Sequence, residues 1–168
     1  MDNKADKRKL QLNSIRELGI LLAFILVLLI LMILSPKAFA RPANLINILK
    51  QASINGILAT GMMFVIISGG IDLSVGSIVA LSGVIAASFA HPGEYHLIVP
   101  ITLSVLAGLA AGLFNGIGVA YGNIPPFIVT LGSMTIFRGL ALIYSNGQPI
   151  FGVTKEFERI AGGFVLDI

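Results

Sequence analysis

Asp72 is the residue whose type and setting point most directly to chemistry. It is the only charged residue between Lys50 and Glu94, and apolar runs flank it on both sides. A carboxylate at bilayer depth is costly by a few kcal/mol unless local groups satisfy it. Asp72 lies in the stretch Ser68-Gly69-Gly70-Ile71-Asp72-Leu73-Ser74-Val75-Gly76-Ser77. Because glycine has a low helix propensity and tolerates left-handed backbone conformations, the Gly69-Gly70 pair predicts a helix break.

The residue types leave two roles open for Asp72. As the N-cap of a new helix, it would accept hydrogen bonds from the amides of Ser74 and Val75, which the helix otherwise leaves unpaired. As an ionisable group inside a membrane, it would carry the proton of a proton-coupled secondary transporter. Irregular backbone at this depth requires burial in protein or a watery cavity. The stretch therefore predicts the interior of a helical bundle.

Other polar side chains interrupt the apolar runs. Arg138 lies seven residues before Ser145, about 10 Å from the end of its predicted span. It either extends outward to the interface or faces the bundle and pairs with a carboxylate such as Asp72 or with backbone carbonyls. The amides and hydroxyls are either interhelical contacts of about 1 kcal/mol or substrate contacts. The candidates for the substrate path or the helix break are Asn55, Ser68, Asp72, Ser74, Ser77, Asn115, Thr130 and Arg138.

Composition defines the broad class of the chain. Apolar residues make up 56% of it and charged residues 11%, and the mean hydropathy is +0.95. These values predict a multi-pass membrane protein and exclude a single soluble domain. The net charge of +3 comes from ends and loops, so it predicts no nucleic-acid partner. With no cysteine, no metal-ligand spacing and no catalytic motif, the sequence predicts neither an enzyme nor a metal site.

Five apolar runs predict an all-α membrane protein with about five transmembrane helices. Their bounds are 18–35, 53–69, 73–91, 97–122 and 126–145, and the Gly-Gly/Asp break falls between the second and third. The first run is longer than a signal-peptide core and precedes further spans, so it predicts a membrane helix. A short interfacial helix capped by Asn44 is expected before the second span.

Three glycines in the fourth run predict a helix-packing face. Gly108, Gly112 and Gly116 recur every fourth residue, and such a ridge lets another helix backbone approach closely in lipid.

The segments outside the bundle predict its orientation. Residues 1–17 form a basic tail with five Lys and Arg residues, which favours a cytoplasmic N-terminus. After five spans, the polar tail 146–168 would then be extracytoplasmic.

Several motifs together resemble a known family. In order they are Ser35-Pro36, Asn47-Ile48-Leu49, Asn55-Gly56, Gly70-Ile71-Asp72-Leu73-Ser74-Val75-Gly76-Ser77, Phe127-Ile128-Val129-Thr130-Leu131-Gly132, Arg138-Gly139 and Tyr144-Ser145-Asn146-Gly147. From about Leu18 to the end, the chain resembles the permease subunit of ribose-type ATP-binding-cassette (ABC) sugar importers. The resemblance adds a third role for Asp72, a carboxylate offered to sugar hydroxyls on the substrate path.

The resemblance also implies partners and a location. Such a permease lies in the bacterial inner membrane with a second permease copy, a cytoplasmic ABC ATPase and a periplasmic sugar-binding protein. ATP is used by the separate subunit, so this chain is expected to hold no cofactor. Family members are about twice as long, so the chain is expected to be the N-terminal half only. The alternative function is a truncated or split half that inserts in the membrane but does not transport alone.

Overall fold

The computed structural model describes the backbone of residues 3–162 and the side chains of residues 18–160. Within that backbone all regular secondary structure is α-helical, which confirms the predicted all-α class. The helices are α1 (Asn3–Leu34), α2 (Pro36–Phe39), α3 (Pro42–Ile67), α4 (Val75–Ser88), α5 (Ile98–Ala120), α6 (Pro126–Tyr144) and α7 (Lys155–Gly162).

Three of these helices are long and apolar enough to cross a membrane: α3, α5 and α6. Two further apolar helical stretches, Leu18–Leu34 within α1 and Val75–Ser88, are shorter. Every predicted apolar run is therefore helical over most of its length. The count of five membrane spans stays a prediction.

The segment before the predicted second span differs from expectation. The prediction of a short interfacial helix capped by Asn44 is wrong, because α3 runs without interruption from Pro42 to Ile67. Pro42 suits the first helical position, where its missing N–H costs no hydrogen bond. The Ser53 hydroxyl donates to the Leu49 carbonyl 2.8 Å away, inside the helix. No proline follows Pro42 to end the helix before Gly69-Gly70.

The described chain falls into two compact units, 1–54 and 55–168. In the first unit α2 packs against α1, and the Asn44 side-chain amide donates to the Phe39 carbonyl 2.9 Å away. The expected basic tail 1–17 lies outside the described side chains.

In the second unit, α4 packs against both α5 and α6, and α5 also contacts α6. The buried core is made of small residues around one aromatic, Phe137, whose ring meets that of Phe114 edge-on at 5.9 Å. Most large apolar side chains are exposed, Leu113 by 64% for example. An apolar exterior of this extent is what a lipid environment requires.

The chain after α6 folds back onto the connection between α4 and α5. The Thr154 amide donates to the Ala90 carbonyl at 2.7 Å, and His91 Nδ1 lies 3.3 Å from the Gly152 carbonyl oxygen. The tail predicted as simply polar therefore contains a packed segment and the helix α7, with residues 163–168 outside the described part.

Candidate functional site: the helix break at residues 68–74

The break begins where Gly69-Gly70 ends α3. Gly69 has a left-handed backbone, with φ of +80°. Its amide donates to the Ile66 carbonyl, and the Gly70 amide donates to the Val65 carbonyl, both at 2.9 Å. These two bonds define a Schellman motif, which satisfies carbonyls that the helix end leaves unpaired. A side chain at position 69 would be strained because L-residues rarely adopt this conformation.

Asp72 organises the backbone just before α4. Its Oδ1 accepts from the Ser74 amide at 2.7 Å and from the Ser74 hydroxyl at 2.6 Å. This is an Asx-turn, in which the side chain satisfies the backbone two residues ahead. The predicted contact with the Ser74 amide is present, but the one with Val75 is not. The N-cap position belongs to Ser74, because α4 begins at Val75.

Ser74 connects this turn to α5. Its side chain is fully buried, and its Oγ accepts a hydrogen bond of 2.8 Å from Asn115 Nδ2. Asn115 therefore donates to Ser74, and Ser74 donates to Asp72. Such a directed chain polarises its members in a low-dielectric interior. The Ser74 backbone is itself helical, with φ of −85° and ψ of −9°, and its hydroxyl makes no cap bond to α4.

Thr130 connects the break to α6. It is only 3% exposed, and its hydroxyl lies 3.1 Å from the Ile71 carbonyl and 2.8 Å from the Pro126 carbonyl. A Cβ at Gly70 would lie 3.7 Å from Pro126 Cβ, so the break also contacts the start of α6. Helices α4, α5 and α6 thus meet at residues 70–74.

A cavity of about 270 Å³ adjoins this network. Its wall includes Asp72, Asn115 and Thr130 together with Gly112 and Gly116. A second cavity of about 250 Å³, on the side of α3, also includes Asp72 in its wall. A larger cavity, about 370 Å³ between α5 and α6, has Ser133 as its one polar side chain. Size alone therefore does not identify the candidate site.

The structure gathers some of the candidate residues and separates others. Ser68 donates to the Val65 carbonyl at the end of α3, and Ser77 is buried on α4. Asn55 is exposed on α3, and Arg138 is exposed on α6. Arg138 follows Thr130 by eight residues, about 12 Å of helix. The structure forms no Asp72–Arg138 pair.

The glycine ridge of α5 meets different surroundings along its length. A Cβ at Gly108 would lie 3.6 Å from Ser82 Oγ of α4. At Gly112 and Gly116 no heavy atom lies within 4 Å of that position, so these two open onto the cavity. Of the three ridge glycines, only Gly108 would place a Cβ within 4 Å of a neighbouring helix, and the packing face stays a prediction.

Two further residues, one on α5 and one on α6, were not among the predicted site residues. Gly118 lies close to α6, since a Cβ there would lie 3.0 Å from Val129 Cγ1. Ser133 is 1% exposed and donates to the Thr130 carbonyl. Its spacing of three residues from Thr130 was the available signal, because positions three apart share a helix face.

These observations first define the class: a helical membrane protein whose buried polar residues converge on a helix break. The chain belongs to the family described as branched-chain amino acid transport system / permease component, whose model matches residues 44–165. This is a family of transport permeases.

Individual relatives narrow the comparison to sugar permeases. The ribose import permease protein RbsC of Bacillus subtilis (strain 168) is 38% identical over 98% of this chain and 52% of its own length. The xylose transport system permease protein XylH of Haemophilus influenzae is 36% identical over 95% of this chain and 43% of its own. The L-arabinose ABC transporter permease protein AraH of Azospirillum brasilense is 40% identical over 92% and 45%.

The resemblance to ribose-type sugar permeases is thereby confirmed. The chain spans about half the length of the curated relatives it matches. No solved structure matches it.

Proposed function

We propose that this chain forms part of the translocation path of an ABC importer for a monosaccharide, a ribose-like pentose or a related sugar. The observation that carries this proposal is the helix break, where Asp72, Ser74, Asn115 and Thr130 lie close together between apolar helices. Non-helical backbone in a membrane is tolerated where protein buries it or where it lines a cavity, and this break does line one. The relatives, named as permeases for ribose, xylose and arabinose, support the substrate class.

The proposed assembly follows from the class of importer. The chain would work with a second permease copy or the other half of a permease, a cytoplasmic ABC ATPase and a periplasmic sugar-binding protein. ATP would be used by the ATPase, with no cofactor on this chain.

The proposed topology is five membrane helices in the bacterial inner membrane, with the N-terminus in the cytoplasm. It counts Leu18–Leu34 and Val75–Ser88 as spans besides the three long helices. The chain has no cysteine, so single cysteines report topology cleanly. Gln148→Cys, after α6, should react with an impermeant maleimide in intact cells, whereas Tyr121→Cys, after α5, should react only after permeabilisation. The reverse pattern would overturn the orientation.

Uptake of radiolabelled D-ribose tests the transport function. Host cells would lack their own ribose permease but keep the ribose ATPase and binding protein. The chain would be expressed alone and together with the second half of the Bacillus subtilis relative. The matched control is the relative's own two halves, expressed together in one cell as two separate chains.

We expect ATP-dependent uptake when the chain is combined with that second half, and only background uptake from the chain alone. Background uptake in both arms, with the control active, would contradict a role in translocation. Uptake by the chain alone would contradict the alternative of an inserted half that cannot transport by itself. Abolition by a proton uncoupler at a constant ATP level would instead indicate a proton-coupled transporter.

A further inference from the structure

Helix α7 presents chemically different faces. Among its described side chains, residues 155–160, Phe157 and Ile160 are three residues apart and therefore share one face. Charged side chains occupy the rest of its circumference: Lys155, Glu156, Glu158 and Arg159. A narrow apolar face on a helix of low overall hydrophobicity is typical of a helix that lies in the plane of a membrane interface.

Apolar side chains in and before α7 are left largely uncovered by the described residues. Ile160 is 58% exposed, and Phe151, in the connection from α6, is 78% exposed. Apolar surface is unfavourable in water, and its removal from water is the main favourable term in folding and association. These two side chains therefore indicate a further contact, with either lipid or protein.

Thr154 fixes the start of α7 at the end of the helical unit. Its amide donates to the Ala90 carbonyl at 2.7 Å, two residues beyond the end of α4 at Ser88. Its hydroxyl caps α7 by accepting from the Phe157 amide at 3.3 Å. Helix α7 therefore begins at the level where α4 ends.

The surroundings of that level favour lipid as the contact. At the end of α6, Ile143 is 75% exposed and Tyr144 is 49% exposed, so the apolar exterior extends to the last turn of that helix. Tyr95, in the connection between α4 and α5, is 52% exposed. Tyrosine is enriched where a membrane meets water. Phe151 and Ile160 add apolar surface at this same end.

The charges of α7 favour a neutral lipid surface. Two basic and two acidic residues cancel, whereas helices that select anionic lipid carry an excess of Lys and Arg. Insertion of apolar side chains would therefore contribute more to binding than attraction to charged headgroups.

We propose that α7 lies along the membrane surface, with Phe157 and Ile160 at the boundary between headgroups and acyl chains. Its charged side chains then face the headgroups and water, and Phe151 enters the same boundary. The inference requires only that the chain spans a membrane. It does not depend on which substrate is transported.

Tryptophan fluorescence tests this placement directly. The chain contains no tryptophan, so one introduced tryptophan reports one position. Ile160→Trp places it on the apolar face, in the full chain reconstituted into phosphatidylcholine vesicles. Glu158→Trp is the matched control, because residues two apart point to nearly opposite sides of a helix.

We expect brominated phosphatidylcholine to quench Ile160→Trp several-fold more strongly than Glu158→Trp, and iodide to show the reverse order. Bromine high on the acyl chains should quench more than bromine near their ends, because an interfacial helix reaches only about 5–10 Å into this boundary. Adding phosphatidylglycerol should leave the quenching unchanged.

Three results would contradict the inference. Equal quenching of both variants by iodide would place α7 in water and overturn it. Ile160→Trp emission shielded from both iodide and brominated lipid would show that protein covers this face, a second copy of the chain for example, and would also overturn it. Quenching that requires phosphatidylglycerol would contradict the neutral surface. Phe151→Trp, an aromatic replacement at an exposed position, repeats the measurement if Ile160→Trp does not reconstitute.

Discussion

At the helix break of residues 68–74, called the hinge from here on, buried side chains join α4, α5 and α6. At the far end of these helices, where residues 90–91 meet residues 152–154, the contacts are made mainly by main-chain atoms. Asn115 reaches Ser74 across 41 residues of sequence, and Thr130 reaches the Ile71 carbonyl across 59. At the other end, the Thr154 amide bonds the Ala90 carbonyl, and the exposed His91 ring makes a longer contact of 3.3 Å to the Gly152 carbonyl.

The difference predicts where residue identity matters. Side-chain donors and acceptors buried in an apolar surrounding are costly when one partner is lost. Backbone groups are supplied by almost every residue type, and groups near water can be satisfied by water. The hinge should therefore be sensitive to single substitutions, and the far end should tolerate them.

The largest effect is expected for Ser74→Ala. The change strands the Asn115 amide and removes one donor from Asp72, so the free energy of unfolding in detergent should fall by about 2 kcal/mol. The measurement is an SDS-unfolding titration. Ser77→Ala, a buried serine one turn along α4, is the matched control with a smaller expected loss.

The Ser74–Asn115 contact is tested by a double mutant. Combining Ser74→Ala with Asn115→Leu replaces both partners by apolar groups, so part of the lost stability should return. Strictly additive losses would show that the two side chains do not act as a pair.

The next effect is expected at the end of α3. Gly69→Ala forces a side chain into a left-handed conformation and should cost about 1–2 kcal/mol. Gly61→Ala is the control, because Gly61 is helical and has no heavy atom within 4 Å of a Cβ. It should be neutral or stabilising by up to about 1 kcal/mol. Equal losses in the same titration would argue against the Schellman ending.

Thr130→Val removes one hydroxyl while keeping the side-chain shape. The Ile71 carbonyl loses its donor from α6, and we expect a loss of about 1 kcal/mol. Thr135→Val is the control on the same helix, since the exposed Thr135 hydroxyl bonds only its own helix, 3.4 Å from the Leu131 carbonyl. A control variant as damaging as Thr130→Val would mean that the cross-helix bond contributes little.

The smallest effect is expected for His91→Ala at the far end. The contact of the His91 ring with Gly152 is long and exposed. The free energy of unfolding should therefore change by less than about 0.5 kcal/mol. A loss as large as that of Ser74→Ala would show that both ends depend on specific side chains, and the contrast between them would fail.

Local features of this protein were determined by the sequence alone. Apolar runs longer than a soluble helix requires predict the helical membrane class, because lipid allows few alternatives. Gly69-Gly70 follow the end of α3, and the Asp72 side chain accepts from the Ser74 amide. These contacts span only a few residues and depend on local backbone conformation. The motif spacing was also sufficient to indicate the permease family.

The tertiary structure decided which distant residues meet. Asn115 and Thr130 were visible as polar interruptions, but their partners at the hinge depend on how α5 and α6 pack on α4. The same packing leaves Arg138 about two helical turns beyond the Thr130 contact, and it places Gly112 and Gly116 in the wall of a cavity. Helical periodicity assigns residues to a face, and only the packing of the helices determines what that face contacts.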